Sequence, residues 1–421
     1  MSRVIVVGAG FAGLAAAWSA QRRGADVTLV STGPGASEMS SGALDEALWE
    51  TIRAATLALG EHATCGPLAD EVHALCAALA IFRLPAAGEA MPILATTAGV
   101  LRLARGHDCA LLDVAPLRSG CVYVPRVGRS GWDADAIARA LSDSPLARER
   151  DLVFRALDAQ ILRHSAEWRI GDTDLAMLHD GDARLEWLGA RLGDALGPHA
   201  ERARGLLLGP WLGAAQPRAA ALTARLGIPV GEALIGAGSP AGFRFAAARA
   251  RLIADLGIVL VDARVDKIAR SDGSLHVELE GDNPTLVADA IVLACGGMIG
   301  GGIVYRPAES TALRDLPPRA IPPFQLTIAA DVVIGIADKR LGETSSLHGP
   351  NLDESAWPVG HQAGALEAIG VLCDGVVVRS GGDSSRPWPL RAAGDVMADR
   401  PRTVLEAMAS GVLAGAHAGD G

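Results

Sequence analysis

Apolar positions along this chain fall in short blocks of two distinct periods. Val4–Val7 is an unbroken, β-branched run, the signature of a strand covered on both faces. Ala12–Arg23 is Ala-rich and predicts a helix that Gly24 stops, and Val27–Val30 predicts a second strand. The stretch 32–43, rich in Gly, Pro and Ser, predicts a loop, and helical spacing resumes from near Leu44 to Ala80. Phe82–Leu112 breaks into short strands and turns. Cys121–Val127 then predicts a strand and Asp133–Leu141 a helix, a second αβ unit. From 147 to 230, helix-like Ala/Leu/Arg stretches surround one apolar run, Leu206–Leu208. Phe243–Leu256 has helical periodicity, Gly257 ends it, and Ile258–Val261 predicts a strand. Val265–Leu286 alternates as a β-meander, and Ile291–Leu293 predicts a buried strand. Residues 305–370 are Pro-rich and predict an irregular cap or interface. Pro389–Ala393 predicts a last strand before an Ala-rich helix.

Chemistry enters at the ends of these strands. Gly8, Gly10 and Gly13 follow the first strand in the spacing G-x-G-x-x-G. The first glycine permits a tight turn, the second lets a pyrophosphate approach bare backbone, and the third lets the helix pack on the strand. Phe11 and Ala12 place first-turn N–H groups where an anion binds. Ser31 occupies the tip of the second strand, where such folds usually carry an acid for the ribose hydroxyls. Ser40, Ser41 and Gly42 are small enough to admit a flat ring, or they cap the next helix. Ala294 and Gly296 end the 291–293 strand in small residues. Gly394 gives backbone clearance at the last strand, and the Asp395 carboxylate offers an acceptor to a ribityl chain. Two candidate catalytic residues remain. Arg244 enters near a helix start and suits a carboxylate or phosphate, and His361 suits proton transfer beside a flavin. For each, a plain structural role is the competing reading.

These signals predict an α/β fold: a Rossmann-like FAD/NAD(P)-binding domain with an inserted α/β segment and a cap region. The dinucleotide domain is expected in three parts, 1–50, 231–304 (with the meander) and 373–421. The insert is expected at 51–230 and the cap at 305–372. A chain of 421 residues, half of them hydrophobic, is long enough for two domains. With a formal charge of -10 and no Lys/Arg block, nucleic acid is not expected as a partner. No apolar run reaches the ~18 residues of a membrane span, and the N-terminus has no signal-peptide layout, so a cytoplasmic protein is expected. The six cysteines form no C-x-x-C, so no metal or iron–sulfur site is expected within the chain. Cys295 is expected as a small filler, and His164, His179 and His199 as surface or capping residues.

In these motifs the chain resembles a flavoprotein subunit of anaerobic glycerol-3-phosphate dehydrogenase, the one that accompanies the substrate-oxidising flavoprotein. The shared features are the glycine fingerprint with a hydroxyl residue after the second strand and the S-S-G-x-L-D element at Ser40–Asp45. To these add the turn–helix from Pro240 to Phe245, the ADAIVLACGG strand and the terminal motif with Gly394–Asp395. The resemblance implies a flavin-containing subunit of a respiratory complex at the inner face of the membrane. A second flavoprotein subunit would oxidise glycerol 3-phosphate there, and an iron–sulfur subunit would pass electrons toward quinone. The family is usually assigned FMN. The fingerprint favours FAD, because it holds a pyrophosphate and FMN has none. Two further readings stay open: a stand-alone FAD-dependent oxidoreductase related to fumarate reductases and acting on a small acid, and a flavin-free scaffold.

Overall fold

In the computed structural model the residues described are 1–45, 67–86, 88–271, 274–307, 324–328, 331–334, 339–341, 347–348, 370–378, 389–398 and 400–420. The chain divides into two compact units. The first comprises Met1–Ser37, Ala63–Leu75 and Leu252–Gly421, the second Glu38–His62 and Cys76–Arg251.

The first unit is built on a seven-stranded sheet. Strand β1 (Arg3–Val7) lies at its middle, with β2 (Asp26–Ser31) on one side and Ala290–Leu293 on the other. Val259–Asp262 extends the sheet beyond β2, and Leu390–Ala392 extends it beyond Ala290–Leu293. These five strands are all parallel. A hairpin of Cys373–Asp374 and Val377–Val378 completes the far edge. The parallel part has the doubly wound order, in which the strand sequence reverses at β1 and leaves a crevice at the carboxyl ends. Val4–Val7 is buried throughout, as an apolar run without alternation requires.

Helix α1 (Phe11–Arg22) is buried from Phe11 to Ala20 because it packs on two neighbours at once. One is the sheet. The other is the Val404–Gly419 helix, which carries a glycine every fourth residue at 411, 415 and 419. A Cβ at Gly411 would overlap the Ala12 carbonyl, and one at Gly415 the Ala16 carbonyl, so the two backbones touch. The Ser19 hydroxyl donates to the Val412 carbonyl at 2.8 Å across this seam. A second sheet in this unit joins the predicted meander (Val265–Ser271, Ser274–Leu279, Leu286–Ala288) to Asp331–Ile334 and Lys339–Leu341. The Pro-rich region thus supplies regular strands where the sequence predicts irregular chain.

The second unit contains a four-stranded parallel sheet in the order Val230–Glu232, Ala203–Leu208, Gly120–Arg126, Leu152–Asp158. The expected αβ unit is present. Its helix, Ala134–Asp143, buries Ala134, Ile137, Ala138 and Leu141, and the Asp133 carboxylate caps it by accepting from the Ala136 N–H at 3.0 Å. Two expectations are corrected. Ala43–Leu44 is a short strand, held antiparallel to Gly106–Asp108, where a helix start was expected. His179 is fully buried, with Nδ1 2.8 Å from the Trp211 carbonyl, and desolvation lowers its pKa to about 4. It is a neutral core residue, held by a backbone group 32 positions away that local pattern does not reveal.

Candidate dinucleotide site

One register row fixes the geometry of the site. Val261, Val30, Val7, Leu293 and Ala392 lie side by side across the five parallel strands. The next residue on each strand leaves the sheet at its carboxyl end. Those residues are Asp262, Ser31, Gly8, Ala294 and Ala393, with Gly394 and Asp395 directly after. At ~4.8 Å per strand the row is about 19 Å long.

The fingerprint glycines divide the work. Gly8 has φ +106°, a Cβ there would overlap the Ala294 carbonyl oxygen, and its N–H donates to the Val30 carbonyl at 2.7 Å. A Cβ at Gly13 would overlap the Gly8 carbonyl oxygen. Both therefore serve close packing. Gly10 differs: its backbone (φ -72°, ψ -169°) is open to any residue, and a Cβ would lie 2.7 Å from the Ser37 hydroxyl. That hydroxyl accepts from the Phe11 N–H at 3.0 Å, where no side chain of the cap residue itself reaches the helix end. The start of α1, with the Phe11 and Ala12 N–H groups and the Ser37 hydroxyl, is a polar cradle kept open by a missing Cβ. Ser37 was not singled out from the sequence; its only signal is a hydroxyl residue in the loop after β2.

At the other end of the row, Gly394 has φ +71° and a Cβ there would lie 2.7 Å from the Ala12 Cβ. Its N–H is held by the Ser410 hydroxyl at 3.0 Å, a partner on the C-terminal helix that sequence reasoning missed. Asp395 stands in a short turn, Gly394–Val396, against the Gly296–Gly302 loop: a Cβ at Gly297 would lie 3.0 Å from the Asp395 Cβ. Burial pushes the Asp395 carboxyl up, and nearby Arg402 pulls it back. Ala294 is buried and Gly296 has φ +85°, so the small residues expected here do meet tight backbone. Desolvation lifts the Cys295 thiol to about 12, which keeps it protonated at neutral pH.

A neutral-pH carboxylate held in this position costs the apo-protein some stability and suits a ligand hydroxyl. Asp395→Ala is expected to weaken flavin affinity about ten- to a hundredfold, the value of a charged acceptor on a neutral hydroxyl. The sign of its pH effect follows from the raised pKa: the stability it contributes is full below its unfolded pKa and is lost as pH rises. The apo form of the variant should therefore melt no lower than wild type at neutral pH. Unchanged affinity with a lowered melt would leave only a turn aspartate.

Of the remaining predicted residues, Ser40, Ser41, Gly42 and Arg244 belong to the second unit. Within the second unit, the Ser40 hydroxyl accepts from the Gly42 N–H at 3.2 Å and the Ser40 carbonyl accepts from the Ser239 hydroxyl at 2.9 Å. Gly42 (φ +91°) admits Asp108, whose Cβ would lie 3.0 Å from a Cβ at 42. Arg244 is a correction. Its guanidinium, 1% exposed, donates from Nε to Asp108 at 2.8 Å, from Nη2 to Glu232 at 2.8 Å, and from Nη1 to the Gly213 carbonyl. The Asp108 carboxylate also accepts from the Ala110 N–H at 2.8 Å, and the Glu232 carboxylate from the Leu212 N–H. The arginine offered to a substrate anion is taken by two protein carboxylates, because burial of all three leaves no other way to satisfy them. His361 lies outside the described residues. Among the described residues no group of His, Cys, Asp and Glu is placed to hold a metal ion. No helix among them is long and apolar enough to cross a membrane.

Residues 3–165 match the family described as FAD binding domain. No curated protein matches the chain. Among solved structures it is similar to FqzB, at 13% identity over 76% of this chain and 44% of that one, with a TM-score of 0.24. It is also similar to 3-ketosteroid delta1-dehydrogenase from Sterolibacterium denitrificans, solved in complex with 1,4-androstadiene-3,17-dione. That match has 16% identity over 70% and 48% of the two chains, with a TM-score of 0.30. A third is CtdE in complex with FAD, at 9% identity over 70% and 38%, with a TM-score of 0.22. The chain thus matches less than half the length of each of these proteins. The cradle left by Gly10 and the matched segment agree with a dinucleotide-binding α/β fold whose cofactor is FAD.

Proposed function

We propose that this chain is a flavin-dependent oxidoreductase of the fumarate-reductase-like class. Within that class, we propose that it works as the electron-transferring FAD subunit of a complex like anaerobic glycerol-3-phosphate dehydrogenase. The observation that carries the redox reading is the carboxyl-edge row, which ends at Gly394 and Asp395 on the side away from Ser31 and so gives a flavin its own station. Bound FAD supplies an acceptor for two electrons that can release them singly. This chain's residues bind and orient it: the α1 start takes the pyrophosphate, and Asp395 takes a ribityl hydroxyl. Engagement of Arg244 by Asp108 and Glu232 weighs against the stand-alone reading, which relied on that residue for a small acid. Electrons arrive from a second flavoprotein that oxidises glycerol 3-phosphate and leave toward quinone through a cysteine-rich iron–sulfur subunit, at the inner face of the membrane.

The test is reduction of the flavin under anaerobic conditions. The isolated, FAD-loaded chain is expected to stay oxidised with glycerol 3-phosphate and to become reduced when the second flavoprotein is added. Affinity purification from the native host should bring down both partners. Rapid quinone reduction by the isolated chain would overturn the subunit reading.

A further inference from the structure

The tip of β2 lacks the acid expected there, and the structure places one beside it. Ser31 is paired directly with Asp262, the last residue of the neighbouring parallel strand Val259–Asp262. Paired positions on adjacent strands are ~4.8 Å apart, about the reach of one aspartate side chain and a hydrogen bond. Asp262 is exposed, and among the described residues no hydrogen bond or ion pair engages its carboxylate. It stands at the carboxyl edge, in the same row as Ser31 and Gly8 and at the opposite end from Asp395. A pyrophosphate fixed at the start of α1, with its flavin toward Asp395, leaves the adenosine to run over Ser31 toward Asp262.

We propose that Asp262 is the acceptor for the adenosine ribose hydroxyls of FAD, standing in from the next strand for the acid missing at Ser31. The ribose would sit across the two strand ends, with the Ser31 hydroxyl as a weaker second partner. A carboxylate accepting from a vicinal diol discriminates a ligand with an adenosine from one without. Asp262 is then a residue that selects FAD over FMN. This inference rests on FAD being the cofactor, and its test separates the two.

Apo-protein is titrated with FAD and with FMN by quenching of flavin fluorescence, and with ADP by competition, for wild type, Asp262→Ala and Asp262→Asn. Asp262→Ala is expected to weaken FAD and ADP about ten- to a hundredfold and to leave FMN unchanged. Asp262→Asn, which keeps one acceptor oxygen, is expected to fall between. FAD carrying a 2′,3′-dideoxyadenosine should bind wild type as weakly as normal FAD binds Asp262→Ala, and the variant should not distinguish the two. Equal FAD affinity in wild type and Asp262→Ala, or an equal loss for FMN, overturns the proposal while leaving FAD as cofactor. Failure of wild type to bind FAD overturns the cofactor and the proposal together.

Discussion

Arg244→Ala is expected to cost the second unit about 3–5 kcal/mol, a large share of the roughly 5–15 kcal/mol that holds an ordinary domain folded. The reason is what stays behind. Asp108 and Glu232 are at most 1% exposed, and both carboxylates lose their cation while remaining near each other. The Gly213 carbonyl loses its donor as well. Lysine keeps the charge but not the fork that meets three acceptors, so Arg244→Lys should recover only part of the loss. The effect should depend on pH. Burial raises the Glu232 carboxyl to about 7 against the pull of Arg244. A raised acid pKa means that the folded state holds the proton more tightly. Its stabilisation is complete below the unfolded value near ~4.5 and is lost as pH climbs through about 7. Without Arg244 the Glu232 carboxyl holds its proton more tightly still. The variant should therefore be closer to wild type at pH ~5 than at pH ~8. Urea midpoints at the two pH values measure this. A variant as stable as wild type at the higher pH, yet inactive, would return Arg244 to the role of a substrate ligand.

Gly10→Val is expected to purify soluble, folded and colourless. The backbone at 10 accepts a branched residue without strain, unlike that at Gly8, whose φ is +106°. The valine side chain meets the Ser37 hydroxyl and covers the start of α1, where the proposed pyrophosphate site lies. FAD affinity should fall at least about a thousandfold, a loss of about 4 kcal/mol. The apo melt should stay near that of apo wild type. Gly13→Val serves as the contrast, because its Cβ would overlap the Gly8 carbonyl and break the packing of helix on strand. A flavin spectrum retained in Gly10→Val would remove the phosphate cradle from the site.

The comparison of sequence with structure divides along the distance between partners. Val4–Val7, Gly8, Gly13 and the small residues at 294–297 were legible because run length and glycine spacing act within one element. So was Gly394, whose positive φ is a property of its own turn. The partners of Arg244 were not, since Asp108 is 136 residues away and neither carboxylate stands in a motif. Ser37, Ser410 and the pairing of Asp262 with Ser31 were hidden for the same reason. Each is a juxtaposition made by sheet order or helix packing, and periodicity carries no record of which strand becomes whose neighbour. Arg244 itself misled, because an arginine at a helix start looks the same whether it awaits a ligand or has been claimed by the core.

The glycine seam between α1 and the Val404–Gly419 helix sets a timetable for synthesis. Ser19 and Val412 are 393 residues apart, and a ribosome adding ~5–20 residues per second takes roughly 20–80 s to bring the second after the first. Throughout that interval β1 and α1 are outside the exit tunnel without the surfaces that bury them, since Ala290–Leu293 and the Val404–Gly419 helix come late. The second unit, finished by Arg251, is free to fold while translation continues. The nascent β1–α1 segment, ten buried helical residues behind an apolar strand, is thus a natural client for a chaperone.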